Sequence, residues 1–334
     1  MKDTIYLLTG AAGFLGNNIS HKLISKGKKV RVLVLNGDPA IRYVPKEAEV
    51  VLGDLTDLNS LESFFTVSES NEMIVIHCAS LVTTSPRPSQ KVYDVNVTGT
   101  KNIVDLCVAR HVKKLVYVSS TGAILEAPQG QIIREPEQFF PDQVVGYYAK
   151  TKAIATQYVL EAVDNKGLDA PIIYPSGIAG PNDSAFGPFA SFMIRYCQGQ
   201  MPVGVEGTFN AVDVRDLADG VIACTEKGRK GEGYIMSNEM VSMRKMFALI
   251  SEASGAKCIE TILTPEQMKA MSQKSFVESE GEVNLEALKF EIYNLTRNNN
   301  FSPDKAQKEL DFRTRPFQET IVDTVAWLRS EGKI

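Results

Sequence analysis

The feature that most constrains this chain is a glycine-rich turn close to its N-terminus. Gly10, Gly13 and Gly16 follow a short apolar run, Ile5–Leu8, and precede a helical pattern that stops at Gly27. A strand, a turn with this glycine spacing and a helix form the first half of a βαβ unit that can receive a pyrophosphate. The first glycine permits the tight turn, the second admits the phosphate, and the third lets helix and strand pack closely. The free N–H groups and the positive dipole end of the helix favour an anion there.

The rest of the first half repeats this alternation of strand and helix patterns. Apolar runs that predict further strands lie at 30–35, 50–52, 73–76, 114–118 and 170–174, with helical patterns between them. Apolar strands separated by helices indicate a parallel sheet that is covered on both faces. Right-handed crossovers then give an α/β fold, a doubly wound (Rossmann) domain.

The alternation weakens after Pro175, where the chain becomes richer in Gly, Pro and Phe. We predict a dinucleotide-binding domain over 1–175, to which 208–238 returns. A smaller mixed substrate-binding region is predicted over 176–207 and 239–334. Because ligands bind at the carboxyl edge of an open parallel sheet, this region is expected to cover that edge.

Composition narrows the classes of function. With 44% hydrophobic and 23% charged residues among 334, the chain is typical of a globular protein. A formal net charge of −4 gives no basic field for nucleic acid or for an anionic membrane surface. No apolar stretch reaches the roughly 18 residues that span a bilayer, and the N-terminus lacks a signal-peptide pattern. Five scattered cysteines and three scattered histidines favour neither a disulfide framework nor a metal site, so we expect a reducing cytoplasm.

A second candidate site combines a tyrosine with a lysine one helical turn later. Of the eleven tyrosines only Tyr148 has a lysine four positions on, Lys152, in a predicted helix. A free tyrosine has a pKa near 10, and a nearby ammonium is expected to lower it towards the range where acid–base catalysis is efficient. Ser120 and Thr121 follow the strand predicted at 114–118, which places their hydroxyls at the ligand edge. A surface Tyr–Lys pair and ordinary turn hydroxyls are the alternative interpretation.

Together the glycine turn, the serine and the Tyr-x-x-x-Lys sequence resemble those of the short-chain dehydrogenase/reductase superfamily. Length and C-terminal region resemble its extended branch, the NAD-dependent epimerase/dehydratase family, and Pro175–Ile178 resembles its dihydroflavonol-reductase-like and 3β-hydroxysteroid-dehydrogenase-like part. This resemblance implies that Ser120 holds the substrate oxygen, with Thr121 as the fallback. It implies that Tyr148 gives or takes the proton and that Lys152 also contacts the nicotinamide ribose.

The resemblance also implies which residues hold the cofactor. They come from the glycine turn, from the segments after strands three and four, from the Tyr–Lys pair and from the strand-six loop: Gly10, Gly13, Phe14, Leu15, Gly16, Asp54, Leu55, Ala79, Ser80, Tyr148, Lys152, Pro175 and Ile178. Asn96 matches a family position that is structural or supports proton relay. One departure is Tyr174, which stands where the family commonly has arginine.

The choice between NAD and NADP stays open at this point. Strand two ends at Leu35-Asn36 without the carboxylate that would bind a ribose 2′-hydroxyl and repel a 2′-phosphate. NADP is therefore favoured over NAD. Arg42 is a candidate partner for the 2′-phosphate, or a solvated loop residue.

These residues favour an NAD(P)-dependent carbonyl reductase or alcohol dehydrogenase. The alternative is a nucleotide-sugar epimerase that oxidises its substrate transiently with bound NAD. Dehydration is disfavoured because Thr121-Gly122 offers no carboxylate. A non-catalytic dinucleotide sensor is disfavoured because Ser120, Tyr148 and Lys152 are all present.

The predicted partners are few. We expect a small-molecule substrate, no metal, no nucleic acid and no membrane. The family often dimerises through its two long helices, which correspond here to 92–109 and 147–163, so the resemblance implies a homodimer.

Overall fold

The computed structural model describes residues 3–278 and 285–334. The strands are β1 (Asp3–Thr9), β2 (Lys29–Val34), β3 (Glu49–Leu52), β4 (Asn71–His77), β5 (Lys114–Val118), β6 (Ile172–Pro175), β7 (Gly177–Ala179), β8 (Gly204–Val205), β9 (Thr208–Asp213), β10 (Gly233–Met236), β11 (Met240–Ser242) and β12 (Ile262–Leu263). The helices are α1 (Phe14–Ser25), α2 (Leu58–Phe65), α3 (Gln90–Tyr93), α4 (Gly99–Ala109), α5 (Tyr147–Lys166), α6 (Pro188–Cys197), α7 (Val214–Lys227), α8 (Met243–Ser254), α9 (Pro265–Glu278), α10 (Leu285–Thr296), α11 (Asp304–Leu310) and α12 (Phe317–Ser330).

The main sheet confirms the predicted fold class. Seven strands pair in the order β10-β6-β5-β4-β1-β2-β3, and every pairing is parallel. The strand order reverses between β1 and β4, which creates the crevice where ligands bind in doubly wound sheets. The glycine turn after β1 and the segment after β4 therefore face each other at this crevice.

Both faces of the main sheet are covered, which explains why its strands are apolar at nearly every position. Leu7 and Val75 point into one core cluster, which the helices α2, α4 and α5 complete. Their chain neighbours Leu8 and Ile76 point into a second cluster, completed by α1, α7 and α11. Each such buried side chain stabilises the fold by about 1.5–3 kcal/mol relative to an exposed one.

The C-terminal half adds smaller sheets and a third core cluster to the main sheet. β7, β9 and β11 form a three-stranded sheet, and β8 pairs with β12. A third core cluster joins α6, α8 and α12 around Phe247 and Phe317. Within 208–238, α7 packs on α1 and β10 joins the main sheet, whereas β9 pairs with β7 and β11. The division of the chain into two domains at 175 stays a prediction.

A search of the described helices for one that is both long and apolar enough to cross a bilayer finds none.

Candidate active site

The three glycines of the first turn have different structural reasons to be glycine. Gly10 has a φ of +77°, and a Cβ there would lie 2.8 Å from the backbone nitrogen of Ala79. A Cβ on Gly16 would lie 2.2 Å from the carbonyl oxygen of Gly10, so helix and strand touch at this point. A Cβ on Gly13 would meet only that carbonyl oxygen, at 3.3 Å. The surface of Gly13 is therefore open, as the approach of a pyrophosphate requires.

The helix that follows the turn presents its first N–H groups to the crevice. Gly13 is the N-cap of α1, and no side chain caps this end of the helix. The first turn also contains Phe14, which is half-buried, and Leu15, which is buried. An uncapped helix N-terminus beside an open glycine fits the diphosphate of a dinucleotide.

An unpaired hydroxyl marks the loop predicted to pass beneath the nicotinamide. Ser176 is buried, and its Oγ makes no hydrogen bond within residues 3–278 and 285–334. A buried hydroxyl without a partner is costly unless a ligand satisfies it. Ser176 lies between Pro175 and Ile178, the two loop residues predicted to contact the cofactor. An unpaired hydroxyl at this position fits a dinucleotide bound at the crevice.

The predicted adenine end lies at the carboxyl end of β3. The Asp54 carboxylate accepts hydrogen bonds from the backbone nitrogen and the hydroxyl of Thr56, both at 2.8 Å. Leu55 is buried, and its Cβ would lie 2.8 Å from a Cβ on Gly99. Both residues are therefore held rigidly at the sheet edge, and their contact with adenine stays a prediction.

The predicted serine and tyrosine meet at the neighbouring strand ends. Ser120 follows β5, and its Oγ accepts a hydrogen bond from Gly122 N at 3.0 Å. Tyr148 lies in the first turn of α5, and the nearby Ser80 and Ser120 side chains lower the pKa of its phenol. The other hydroxyl considered, Thr121, is buried. The geometry therefore brings Ser120 and Tyr148 together and adds Ser80 beside them.

The predicted direction of the tyrosine pKa shift is wrong. Burial raises the pKa of Tyr148 to about 12, because it outweighs the lowering effect of Ser80 and Ser120. Burial also lowers the pKa of Lys152 to about 8. The Lys152 ammonium donates to the carbonyl oxygen of Val118 at 2.8 Å. Sequence spacing placed Lys152 on the same helix face as Tyr148. It carried no information about burial, which has the largest effect on the pKa of both groups.

Asn96 connects the strand-four segment to the tyrosine helix. Its Oδ1 accepts from Ser80 Oγ at 3.0 Å and from Leu81 N at 2.7 Å. Its Nδ2 donates to Leu81 O and to Thr151 Oγ1, both at 3.1 Å. Thr151 in turn donates to the carbonyl oxygen of Tyr148 at 2.8 Å. One buried amide thus fixes both Ser80 and the first turn of α5.

The predicted helix over 92–109 is interrupted at the position of Asn96. A π-helical turn, Asp94–Thr98, lies between α3 and α4. Such turns are rare and occur frequently at functional sites. Helical periodicity does not reveal them, since the apolar pattern continues through the turn.

His77 is a buried structural residue beside this site. Thr100 Oγ1 donates to the carbonyl oxygen of Asn96 at 2.7 Å, so it accepts from His77 Nε2 at 3.1 Å. The other ring nitrogen, Nδ1, then accepts from the Thr9 hydroxyl at 2.6 Å. Burial, with a smaller effect of the Lys152 charge, lowers the pKa of His77 to about 3. The imidazole is therefore neutral and joins β1, β4 and α4.

We expect this histidine to make the fold sensitive to acid. The pKa of His77 is lower in the folded chain than in the unfolded chain, where it is about 6.5. Its contribution to the free energy of unfolding is therefore complete above pH 6.5 and is lost as pH falls towards 3. Between pH 7.5 and 4.5 the loss is about 2.5 kcal/mol of unfolding free energy, at 1.36 kcal/mol per pH unit below 6.5. Urea unfolding at both pH values should show a smaller loss for His77→Gln, which cannot titrate. An equal loss in both proteins would assign the acid sensitivity to other groups.

Fold and crevice together define a class of protein. The glycine turn after β1, which we call the glycine cradle, lies at the switch point of a doubly wound sheet. The hydroxyls of Ser80, Ser120 and Tyr148 lie at the same edge, near the ends of β4 and β5. These are the features of NAD(P)-dependent enzymes of the extended short-chain dehydrogenase/reductase type.

Comparison with known proteins gives the family. Residues 7–227 match the model of the 3-beta hydroxysteroid dehydrogenase/isomerase family, and the chain belongs to this family. Sterol demethylase protein B of Methylococcus capsulatus is 26% identical over 98% of this chain and 99% of its own length. A 4-hydroxy-2-methyl-3-oxo-4-farnesyl-3,4-dihydroquinoline-1-oxide ketoreductase of Stigmatella aurantiaca is 24% identical over 95% of this chain and 94% of its own.

Solved structures show the same architecture. The crystal structure of gox2253 superposes with a TM-score of 0.84 at 29% identity over 99% of both chains. UDP-glucose 4-epimerase from Thermotoga maritima superposes with a TM-score of 0.80 at 20% identity, over 98% of this chain and 99% of its own. The second likeness concerns the fold alone. The chain is accordingly an NAD(P)-dependent enzyme of the extended type.

Proposed function

We propose that the chain transfers a hydride between NADP(H) or NAD(H) and a carbonyl or secondary alcohol, with Ser120, Tyr148 and Lys152 as the acid–base site. One observation carries this proposal: Ser120 Oγ meets the first turn of α5 at the carboxyl edge of the sheet. A Cβ on Gly122 would lie 3.3 Å from Ser120 Oγ and 3.6 Å from the Cβ of Ala149, the residue after Tyr148. The cofactor would supply or accept the hydride, and the protein would position the substrate oxygen and move its proton.

The Ser120 hydroxyl can donate a hydrogen bond to a carbonyl oxygen. Its oxygen already accepts from Gly122 N, so its proton is free to be donated. The phenol of Tyr148 keeps its proton at neutral pH, because burial raises its pKa to about 12. A protonated phenol beside a donating serine supports proton delivery to a carbonyl, which is the reduction direction. Lys152, at the next turn of α5, would hold the nicotinamide ribose.

Exposed aliphatic residues near these hydroxyls in the sequence support an apolar substrate over a nucleotide sugar. Val82, Leu125 and Val145 are exposed aliphatic residues that lie close in sequence to Ser80, Ser120 and Tyr148, respectively.

An aromatic ring also lies close to the start of α5. The ring of Phe290 in α10 lies 2.7 Å from the position of a Cβ on Gly146, two residues before Tyr148. Neither this ring nor the three aliphatic side chains carries a charge that could pair with a diphosphate. The two relatives named for a sterol and for a ketone fit the same substrate class.

The proposal is tested by cofactor binding followed by turnover. Fluorescence titration with NADH and with NADPH identifies the preferred cofactor. A panel of apolar ketones, aldehydes and nucleotide sugars is then supplied with that cofactor. We expect an apolar ketone to consume reduced cofactor in proportion to the alcohol formed. Conversion of a nucleotide sugar with no net cofactor consumption would replace this proposal by the epimerase alternative.

For the cofactor itself we propose NADP ahead of NAD. β2 ends at Val34, and Leu35 and Asn36 beyond it are exposed and uncharged. The Arg42 guanidinium lies 4.8 Å from the ring centroid of Tyr43 and donates to its hydroxyl at 3.0 Å. This arrangement supports a fixed cation after β2, where a 2′-phosphate would need one.

Homodimerisation through α4 and α5 stays a prediction, as does a cytoplasmic location. The two helices pack against each other within one chain. Their shared surface carries a polar cluster in which Tyr158 and Lys166 both bind the Asp105 carboxylate.

A further inference from the structure

A cleft of about 790 Å³ lies beside the outermost strand of the main sheet, β10. We call it the edge cleft; its lining includes Glu135, Glu137, Asp164 and Tyr174. The lining contains none of the residues assigned above to the cofactor or to catalysis. Its volume lies in the range of small-molecule sites.

The position of Glu135 is explained only in part by the fold. One oxygen of its carboxylate accepts a hydrogen bond from Ile235 N of β10 at 2.8 Å. This contact satisfies a backbone donor on an edge strand, which otherwise is a site for unwanted pairing. The second carboxylate oxygen is left to the cleft.

Tyr174 provides the observation that points to a ligand. Its side chain is 2% exposed and lines the cleft, and its hydroxyl lies 3.1 Å from the position of a Cβ on Gly233. The described residues provide no hydrogen bond to this hydroxyl. The hydroxyl is not sealed from solvent, although the rest of the side chain is buried, so a ligand in the cleft can hydrogen-bond to it.

The charge of the cleft defines the ligand. Four carboxylates and two lysines line it, which leaves an excess of two negative charges. Lys305 is paired with Glu232 at 2.6 Å. Glu137 and Asp164 are exposed and form no ion pair with any described residue. These two residues and Glu135 therefore leave three carboxylates without an ion pair, against one lysine, Lys230, which donates to the carbonyl oxygen of Gly167.

The carboxylates are spread around the cleft rather than collected at one point. Glu135 and Glu137 precede α5, whereas Asp164 lies near the C-terminal end of that helix. A search of the described residues finds no group of three His, Cys, Asp or Glu side chains that could hold a metal ion. Separated carboxylates match a ligand whose positive charges are also separated. Leu160 and Val163 supply an apolar wall for the carbon chain between such charges.

We propose that the edge cleft binds a linear polyamine, with one ammonium group between the Glu135 carboxylate and the Tyr174 hydroxyl and the others at the acidic rim. Ammonium groups donate to both kinds of oxygen, and the aliphatic segments pack on α5. The site is separate from the proposed catalytic site, and its existence does not depend on the proposed reaction.

The test is titration calorimetry of the full chain with spermidine at low ionic strength. We expect saturable binding with one site per chain, weakened roughly tenfold by Glu135→Gln and severalfold by Tyr174→Phe. Glu135→Gln keeps the acceptor for Ile235 N–H, and Tyr174→Phe keeps the ring, so both variants should fold. Glu226→Gln, which removes an acid on α7 outside the cleft, is the matched control and should bind like the unmodified chain.

Two further measurements separate a site from general charge screening. Mg²⁺ at equal charge concentration should not compete with spermidine beyond the effect of ionic strength. Without ligand, the urea midpoint of Tyr174→Phe should equal that of the unmodified chain, because the hydroxyl makes no hydrogen bond within the described residues and is open to the cleft. Absence of saturable binding at millimolar spermidine, or equal affinity in all three variants, would overturn the proposal.

Discussion

Replacing Tyr148 by phenylalanine should reduce turnover of an apolar ketone by about 10²–10⁴-fold, the usual contribution of a positioned proton donor. The substitution removes the phenol oxygen, whose proton stays in place at neutral pH because burial raises its pKa to about 12. The ring remains, so the packing at the start of α5 is kept. Cofactor affinity, measured by fluorescence titration, should change by less than a few-fold, since the glycine cradle lies on another part of the chain.

Tyr147→Phe is the matched control for this experiment. Tyr147 precedes Tyr148 directly and is likewise half-buried, but it has no lysine four positions later on the helix. Its variant should turn over like the unmodified enzyme. If the two variants lose activity equally, or if Tyr148→Phe keeps its turnover, the proton-donor role of Tyr148 is wrong. Loss of cofactor binding in Tyr148→Phe would instead indicate a role in the binding step.

The second large effect is expected from two alanine substitutions in the glycine turn, which should separate binding from folding. Gly16→Ala places a Cβ 2.2 Å from the Gly10 carbonyl oxygen, a backbone atom that cannot move without opening the turn. We expect it to lose about 1–3 kcal/mol of unfolding free energy, typical of overpacking, and to lose cofactor binding as well. Urea unfolding and fluorescence titration measure the two losses.

Gly13→Ala should lose cofactor binding while the fold is kept. The new Cβ would meet only the Gly10 carbonyl oxygen at 3.3 Å, and Gly13 has a φ of −87°, which alanine adopts readily. The methyl group would occupy the open surface proposed for the pyrophosphate, so affinity should fall at least tenfold with little change in the urea midpoint. Unchanged affinity in Gly13→Ala would place the diphosphate elsewhere. A fold as unstable as that of Gly16→Ala would contradict the geometric distinction between the two positions.

Much of the fold was predictable because its determinants are local. Apolar runs with helices between them specify a covered parallel sheet, and the order of strands at the switch point confirms that reading. The family assignment over 7–227 likewise agrees with the resemblance drawn from a few motifs. The π-helical turn at Asp94–Thr98 was not predictable, since the side-chain pattern does not change where the hydrogen-bond register does.

In the candidate site, sequence spacing predicted which residues to consider, but the folded surroundings determined their chemical properties. Four-residue spacing on a helix was enough to pair Tyr148 with Lys152 as candidates. It led to the wrong direction for the tyrosine pKa, because the ammonium effect was inferred from spacing while burial dominates in the folded chain. Ser80 was predicted only as a cofactor contact. Its place beside the phenol follows from the packing of α5 on the π-helical turn at Asp94–Thr98, where Asn96 bonds both Ser80 and Thr151.

The sequence alone determined the features that depend on spacing along the chain: the glycine turn, the apolar strands and the one Tyr-x-x-x-Lys pair. Only the tertiary structure decided which buried groups find partners. It shows that the Asn96 amide hydrogen-bonds both Ser80 and Thr151 of α5, and that the buried Ser176 hydroxyl has no partner among the described residues. The physical reason is that desolvation and hydrogen bonding depend on neighbours in space, whereas turn geometry and helical periodicity depend on neighbours along the chain.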